Sequence, residues 1–399
     1  MQRFIRAAMF IVAIAFAHAA KPTVILVSFD GFRANYFDRS KSPQLHRLAT
    51  TGVRARALIP SFPSKTFPNH YTIVTGLYPS HHGIVANSMF DPDWKAWYSM
   101  SKPSGKEARW YGGEPIWQTA EEQGQIAGSF FWVGSDVPIN GRRPTYWKEY
   151  DHSFPQTARV DSVLAWLDLP EATRPTFVSL YFELVDDAGH KFGPDGTETL
   201  AAVEQMDTLV GRLMDGLQKR NLLENVNLIL VSDHGMSQLS RRRVIYLEDI
   251  IDSTDARVVD WSPNLALIPA LGREDSVYTK LKRASSHWQV YRKQEIPLRF
   301  HYRDNARIAP ILAIADDGWS IVRNHRPPKD NEFSLGNHGY DPELPSMHAL
   351  FIAHGSAFKR GIVVDRVENV NLYGLMCKIL GLKPAKNDGD LEQVKEMLR

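Results

Sequence analysis

Cysteine is nearly absent from this chain of 399 residues: Cys377 stands alone. That excludes an internal disulfide framework and leaves the fold to its core and to any bound metal. Cys377 lies in an apolar C-terminal stretch and reads as a buried, inert thiol. No cysteine stands directly after the apolar start of the chain, which argues against a lipid-anchored lipoprotein. Also missing is an apolar run long enough to span a bilayer, which needs about 20 residues. The run at 7–17 is too short; Arg3 and Arg6 precede it and Ala17-His18-Ala19 offers a small-residue cleavage site, so residues 1–20 read as an export signal. The competing reading is an uncleaved anchor. Finally, charge of one sign is not in excess. Lys and Arg number 47 against 45 Asp and Glu, and residues 1–20 carry two Arg and no acid, so the processed chain is neutral. Bulk attraction to a polyanion is therefore not written into the composition, and any phosphate site must make its own local field. A nucleic-acid duplex is not an expected partner.

What is present is ordinary globular usage, 43% hydrophobic and 23% charged with 26 Gly and 24 Pro, which excludes a disordered, collagen-like or coiled-coil chain. The expectation is an exported protein, periplasmic or secreted, with no membrane attachment once the signal is cleaved. Residues 23–29 (TVILVSF) form a short β-branched run that stops at Asp30-Gly31, the signature of a buried parallel strand. Similar runs recur at 127–133, 176–182, 227–232 and 348–353. Helical periodicity fills 43–51, 69–75, 157–167, 197–220 and 370–380. Strand alternating with helix predicts an α/β fold, a largely parallel central sheet with helices on both faces. The rhythm breaks at about 241–323, where strand-like pieces (265–268, 308–314) and a helical run (276–284) suggest a small inserted α+β lobe. The triplet Arg241, Arg242 and Arg243 reads as a solvated turn. Long Pro- and Gly-bearing connections at 91–113 and 324–345 are of the length that functional loops have.

Imidazole and carboxylate together suit zinc and related divalent ions, and four places supply them. Asp30 ends the first strand. Asp186 and His190 lie just past the strand ending at Phe182, Asp233-His234 ends another, and His338 sits in Gly336-Asn337-His338-Gly339. Each has a bland alternative: Asp-Gly is a common turn, Asp-x-x-x-His a common surface pair, and a lone His is usually structural. Their shared position after strands is what suggests convergence on one rim of the sheet, where six ligands would serve two metals and leave open positions.

A second element is the loop from Pro60 to His70, leading into a helix expected to start near Pro68. Backbone N–H groups at such a terminus favour an anion. Thr66 is the hydroxyl nearest that start; its alternative role is the helix N-cap.

The run from Phe62 to Tyr71 (FPSKTFPNHY), continuing through Val74-Thr75-Gly76-Leu77-Tyr78-Pro79 and His82-Gly83-Ile84 to Asn87, resembles the nucleotide pyrophosphatase/phosphodiesterase family of the alkaline phosphatase superfamily, in the bacterial form with a single catalytic domain. The likeness extends from Val27-Ser28-Phe29-Asp30-Gly31 to Asn337-His338-Gly339-Tyr340, so residues 21–399 would be one catalytic domain of alkaline-phosphatase-like fold. It implies two zinc ions, one held by Asp186, His190 and His338, the other by Asp30, Asp233 and His234, with Thr66 on the second as nucleophile. The family's spacing selects Asp186 over Asp187. Glu183-Leu184-Val185 replaces the Glu-Glu-Pro often found before that Asp, which touches only local loop shape. Asn87 would donate its amide to a non-bridging phosphate oxygen, joined by the backbone N–H of Phe67.

A threonine hydroxyl is too weak an acid to attack phosphorus unaided, so the resemblance implies metal activation and a phosphothreonine intermediate. Lys65 could meet the extra charge of a monoester, but its neighbours follow the diesterase pattern and it is expected to face solvent. Phe67 and Tyr150 would form a slot for a stacked base, with Tyr181 close by; core packing is the alternative, strongest for Tyr181. His70, His81, His82, His348 and His354 are expected to be structural. The substrate expected is a small-molecule nucleotide diester or pyrophosphate. The alternatives are a lipid-headgroup diester, phosphonate or monoester at the same metals, or a non-catalytic carrier of metal or nucleotide.

Overall fold

The computed structural model describes residues 21–325 and 333–399; the expected export signal at 1–20 lies outside them. The run Thr23–Phe29 is a strand near the middle of an eight-stranded sheet, and all its side chains are buried. Val24 and Leu26 enter one core layer, Ile25, Val27 and Phe29 the other. Burial on both faces explains why this strand is continuously apolar rather than alternating. Across the sheet the order is Ile362–Glu368, Val53–Ile59, Ala349–His354, Val226–Val231, Thr23–Phe29, Phe177–Phe182, Ala127–Phe130 and Tyr146–Lys148. Neighbours run parallel, except that Ala349–His354 is antiparallel to both of its partners. The helices Pro43–Thr51, Gln156–Leu167 and Thr197–Lys219 cover one face, Thr66–Thr75, Ile116–Glu122 and Leu372–Leu380 the other.

The largely parallel α/β architecture is as expected, and several details differ. Val53–Ile59 carries Arg54 and Arg56 on its more exposed positions, and Ile362–Glu368 is an edge strand with charges interleaved, so neither shows the unbroken apolar run that reveals a central strand. Asp186 and His190, expected just past a strand with no helix assigned there, lie on a nine-residue helix, Leu184–Phe192, anchored by the buried Val185 and Ala188. The helix expected to start near Pro68 begins at Thr66.

Within 241–323 a four-stranded antiparallel sheet, in the order Ala256–Asp260, Asn264–Pro269, Ile311–Ala315, Trp288–Arg292, packs against the helix Glu274–Ala284 through Val277 and Leu281. The Arg241 to Arg243 turn leads into it, with the Arg243 guanidinium donating to Gln238 O at 2.7 Å. Cys377 is buried, and burial pushes its thiol up to about 12, which suits an inert role. No described helix is long and apolar enough to cross a membrane.

Candidate metal centre and active site

Three adjacent parallel strands end at one rim, and the chemistry collects there. Asp30 follows Thr23–Phe29, the pair Asp233-His234 follows Val226–Val231, and the helix carrying Asp186 and His190 follows Phe177–Phe182. His338 arrives by a different route. The two-residue strand Gly336–Asn337 pairs with Ser237–Gln238 just beyond His234, which lays the His338 ring over that of His234 with centroids 3.5 Å apart. Asp186, His190 and His338 gather one set of ligand atoms within 4.8 Å of one another, and Asp30, Asp233 and His234 gather another. Asp186 sits 3.3 Å from His190 Nε2 and 3.7 Å from His338 Nε2. Asp233 lies 2.9 Å from His234 Nε2, and Asp30 3.5 Å. Asp187, the rejected neighbour, turns outward toward His152.

Two observations show that these atoms fit cations. Asp30 Oδ1, Asp186 Oδ1 and Asp233 Oδ2 are buried without a hydrogen-bond partner, a costly state for three carboxylates unless a positive ion meets them. Moreover, all three histidines present Nδ1 to a backbone carbonyl: His190 to Gly336 at 2.9 Å, His234 to Gly235 at 2.9 Å, His338 to Ser64 at 3.1 Å. A carbonyl only accepts, so each Nδ1 carries the proton. In the neutral ring Nε2, the atom facing the carboxylates, then holds the lone pair a metal needs.

The electrostatics are those of crowded charge. Burial, then the Asp233 and Asp186 carboxylates, push the Asp30 carboxyl well above its usual range. Burial would lower His190, but Asp186 outweighs it and lifts the imidazole to about 9. His338 is held well below the ordinary imidazole range by burial and by His234. Such opposed shifts within one cluster are a mark of functional sites.

Thr66 opens its helix with Oγ1 3.2 Å from His234 Nε2. It is not the N-cap: Lys65 holds that position, and no side chain caps the helix. Asn87 stands beside it, its Oδ1 accepting the Phe67 N–H at 3.0 Å. Here the structure corrects an expectation, since that N–H is engaged by Asn87 rather than free for a phosphate oxygen. The bond fixes the carboxamide and leaves its NH₂ end for a ligand.

A cleft of about 420 Å³ opens from Asp30, Thr66 and Asp186 past Phe67, Tyr150 and Tyr181. Tyr150 is exposed and meets Phe131 edge-on at 5.3 Å. The Tyr181 ring borders the same cleft, but its hydroxyl donates to Asp30 Oδ2 at 2.6 Å, so it braces a carboxylate as well as forming a wall.

Sequence reading missed several residues that shape the site. Lys65, expected in solvent, is buried, with Nζ 2.5 Å from Asp260 Oδ2; nothing local links residues 195 positions apart. His70, expected to be structural, donates from Nδ1 to Thr66 O at 2.9 Å and lies 3.4 Å from Asp233 Oδ2. Its i+4 spacing from Thr66 was the available clue. Arg159, fully buried, forms two hydrogen bonds with Glu183 at the start of the Asp186 helix. A third acid and histidine group, Glu248, Asp249 and His325, is exposed, and His325 Nε2 pairs with Asp249 at 2.9 Å.

The family model for type I phosphodiesterase / nucleotide pyrophosphatase matches residues 24–341. The chain belongs to this family. Human bis(5'-adenosyl)-triphosphatase ENPP4 is 42% identical over 381 residues, which cover 94% of this chain and 82% of that protein. Venom phosphodiesterase of Macrovipera lebetinus is 42% identical over 386 residues, 94% of this chain and 45% of that one. The chain thus spans about half the length of the venom relatives it matches. Murine ectonucleotide pyrophosphatase/phosphodiesterase 5, solved as an inactive threonine-to-alanine variant in complex with AMP, superposes with a TM-score of 0.91 at 38% identity, covering 95% of this chain and all of that one. These family members are animal proteins and lend no support to the bacterial form expected from the sequence.

Proposed function

We propose that the chain is an exported, two-zinc phosphodiesterase that cleaves nucleotide diester and pyrophosphate bonds and releases nucleoside 5′-monophosphates, with 21–399 as its catalytic domain. The observation that carries this reading is the set of three partnerless carboxylate oxygens facing three Nε2 lone pairs, with the Thr66 hydroxyl beside them. Asp186, His190 and His338 would hold one ion, and Asp30, Asp233 and His234 the other. When bound, zinc lowers the pKa of a coordinated hydroxyl and neutralises charge on the phosphoryl oxygens.

The chain's own residues do the rest. Thr66 gives its hydroxyl proton to solvent and Oγ1 attacks phosphorus, its bond to phosphorus forming as the bond to the leaving oxygen breaks, and the leaving group takes a proton from water. Asn87, braced by the Phe67 N–H, hydrogen-bonds an equatorial oxygen in the transition state. Water then cleaves the phosphothreonine ester, returning Thr66 and releasing the nucleotide. Phe67 and Tyr150 offer faces on which any base can stack, each stacked base contributing about 1–3 kcal/mol. The AMP bound to the murine relative supports a nucleotide in this cleft.

A panel of p-nitrophenyl nucleotide ester, p-nitrophenyl phosphate and p-nitrophenyl phosphocholine checks the assignment. The nucleotide ester should turn over fastest. A monoester or the choline ester in first place would move the reading to a phosphatase or a lipid-headgroup enzyme.

Gly31 tests the metal geometry. Its φ is +66°, and a Cβ there would stand 2.6 Å from Asp186 Oδ1 and 2.9 Å from its Cα. Gly31→Ala is therefore expected to displace Asp186 and cut zinc retention during dialysis, with about 1–2 kcal/mol of backbone strain besides. Full retention of both ions would show that Asp186 is not a ligand.

A further inference from the structure

The antiparallel lobe meets the catalytic rim at a buried ion pair. Lys65 Nζ lies 2.5 Å from Asp260 Oδ2, and the two side chains are only 7% and 15% exposed. Lys65 immediately precedes Thr66, and Asp260 ends the lobe strand Ala256–Asp260. One more link crosses this seam, the Asn264 amide donating to Gly339 O at 2.5 Å, and two tie Ser64 to the segment the lobe thereby holds: Ser64 Oγ donates to Tyr340 O at 3.0 Å and His338 Nδ1 donates to Ser64 O at 3.1 Å. Gly339 has φ +113°, and a Cβ there would lie 3.1 Å from Lys65 Cε, so the lysine stem runs directly over the neighbour of His338.

Stability alone does not account for such a pair. Taking both charges out of water costs several kcal/mol per ion, and replacing a buried pair by apolar residues of similar size is often neutral or favourable. Burial indeed pushes the Asp260 carboxyl upward against the pull of Lys65. What the pair supplies is direction. An ammonium held at one point fixes the backbone of Ser64 to Thr66, and that backbone carries both the Thr66 hydroxyl and the carbonyl that orients His338.

We infer that Lys65 and Asp260 are positioning residues through which the lobe fixes the Thr66 hydroxyl and the His338 imidazole relative to each other. The kinetic part of this inference rests on the phosphodiesterase reading; the metal part does not.

The test uses the zinc-loaded full chain with Lys65→Met, Asp260→Leu and the double variant. Each single change strands a buried charge, whereas the double change removes both. The double variant should melt within a few degrees of wild type, release zinc to a chelator about 10-fold faster and lose about 10- to 100-fold in kcat, the scale typical of residues that orient metal ligands. KM for the nucleotide ester should move less than about 3-fold, since ground-state binding is untouched. A folded double variant with wild-type zinc release and wild-type kcat would reduce the pair to packing. Should the double variant not fold, Asp260→Asn, which keeps the shape and drops the charge, is expected to shift zinc release and kcat the same way, and wild-type values there overturn the inference. If the wild-type protein turns over no ester, the phosphodiesterase reading fails while the zinc-release comparison still judges the pair.

Discussion

Thr66→Ala is expected to lower turnover of a nucleotide ester by about 10³-fold or more, the scale seen when a nucleophile is removed, while zinc content and melting temperature stay at wild-type values. The reason lies in how little else this side chain does. Its Oγ1 has one hydrogen-bond neighbour, His234 Nε2 at 3.2 Å, and it caps nothing, because the helix begins at Thr66 with Lys65 as N-cap. Removing it therefore costs no cap, leaves no buried carbonyl without a donor, and keeps all six proposed ligands. Thr66→Ser, which restores a hydroxyl at the same carbon, should recover much of the activity. Wild-type turnover in the alanine variant would mean that water attacks phosphorus directly, and a zinc-loaded wild type without any turnover would favour a carrier.

The sequence made the sheet and half of the site legible for one physical reason: strands buried on both faces are unbroken apolar runs, and a charged residue that ends such a run stands out. Asp30 and the pair Asp233-His234 are visible that way. Asp186 and His190 are visible as a pair but not as a helix, because the burial of Val185 and Ala188 that anchors it is known only from the fold. His338 has no strand of its own to announce it; a two-residue pairing with Ser237–Gln238 brings it in. Thr66 stands out through the resemblance its loop carries, whereas local physics alone favours the N-cap for it. Hidden altogether was the pairing of Lys65 with Asp260, which lies in the antiparallel sheet of the lobe. Tyr181 was legible as a residue near the base slot, with core packing as its alternative, but the reach of its hydroxyl to Asp30 was not. Long-range polar pairs leave no periodicity in the chain, so they appear only once the fold is known.

Removing zinc should abolish turnover, with activity returning on re-addition, and should also lower the melting temperature by about 10 °C, given about 4 kcal/mol for each ion present at a thousandfold excess over its dissociation constant. Three carboxylates, Asp30, Asp186 and Asp233, share the strand-end rim with buried oxygens that meet no donor. Without cations they repel one another, and the strain falls chiefly on Asp30, whose carboxyl is raised by burial and then by Asp233 and Asp186. Histidine protons can offset part of this at Asp186 and Asp233, where His190 and His234 stand close. Asp30→Asn separates the repulsion from general damage. It keeps an oxygen for the Tyr181 hydroxyl and removes one negative charge, so the metal-free variant should melt higher than metal-free wild type, whereas in excess zinc it should melt lower because a ligand is lost. That reversal of order between two calorimetric scans is specific to a cluster built around cations. An Asp30→Asn protein less stable than wild type in both conditions would mean that the carboxylate has a structural partner of its own, and the assignment of Asp30 as a metal ligand would fall with it.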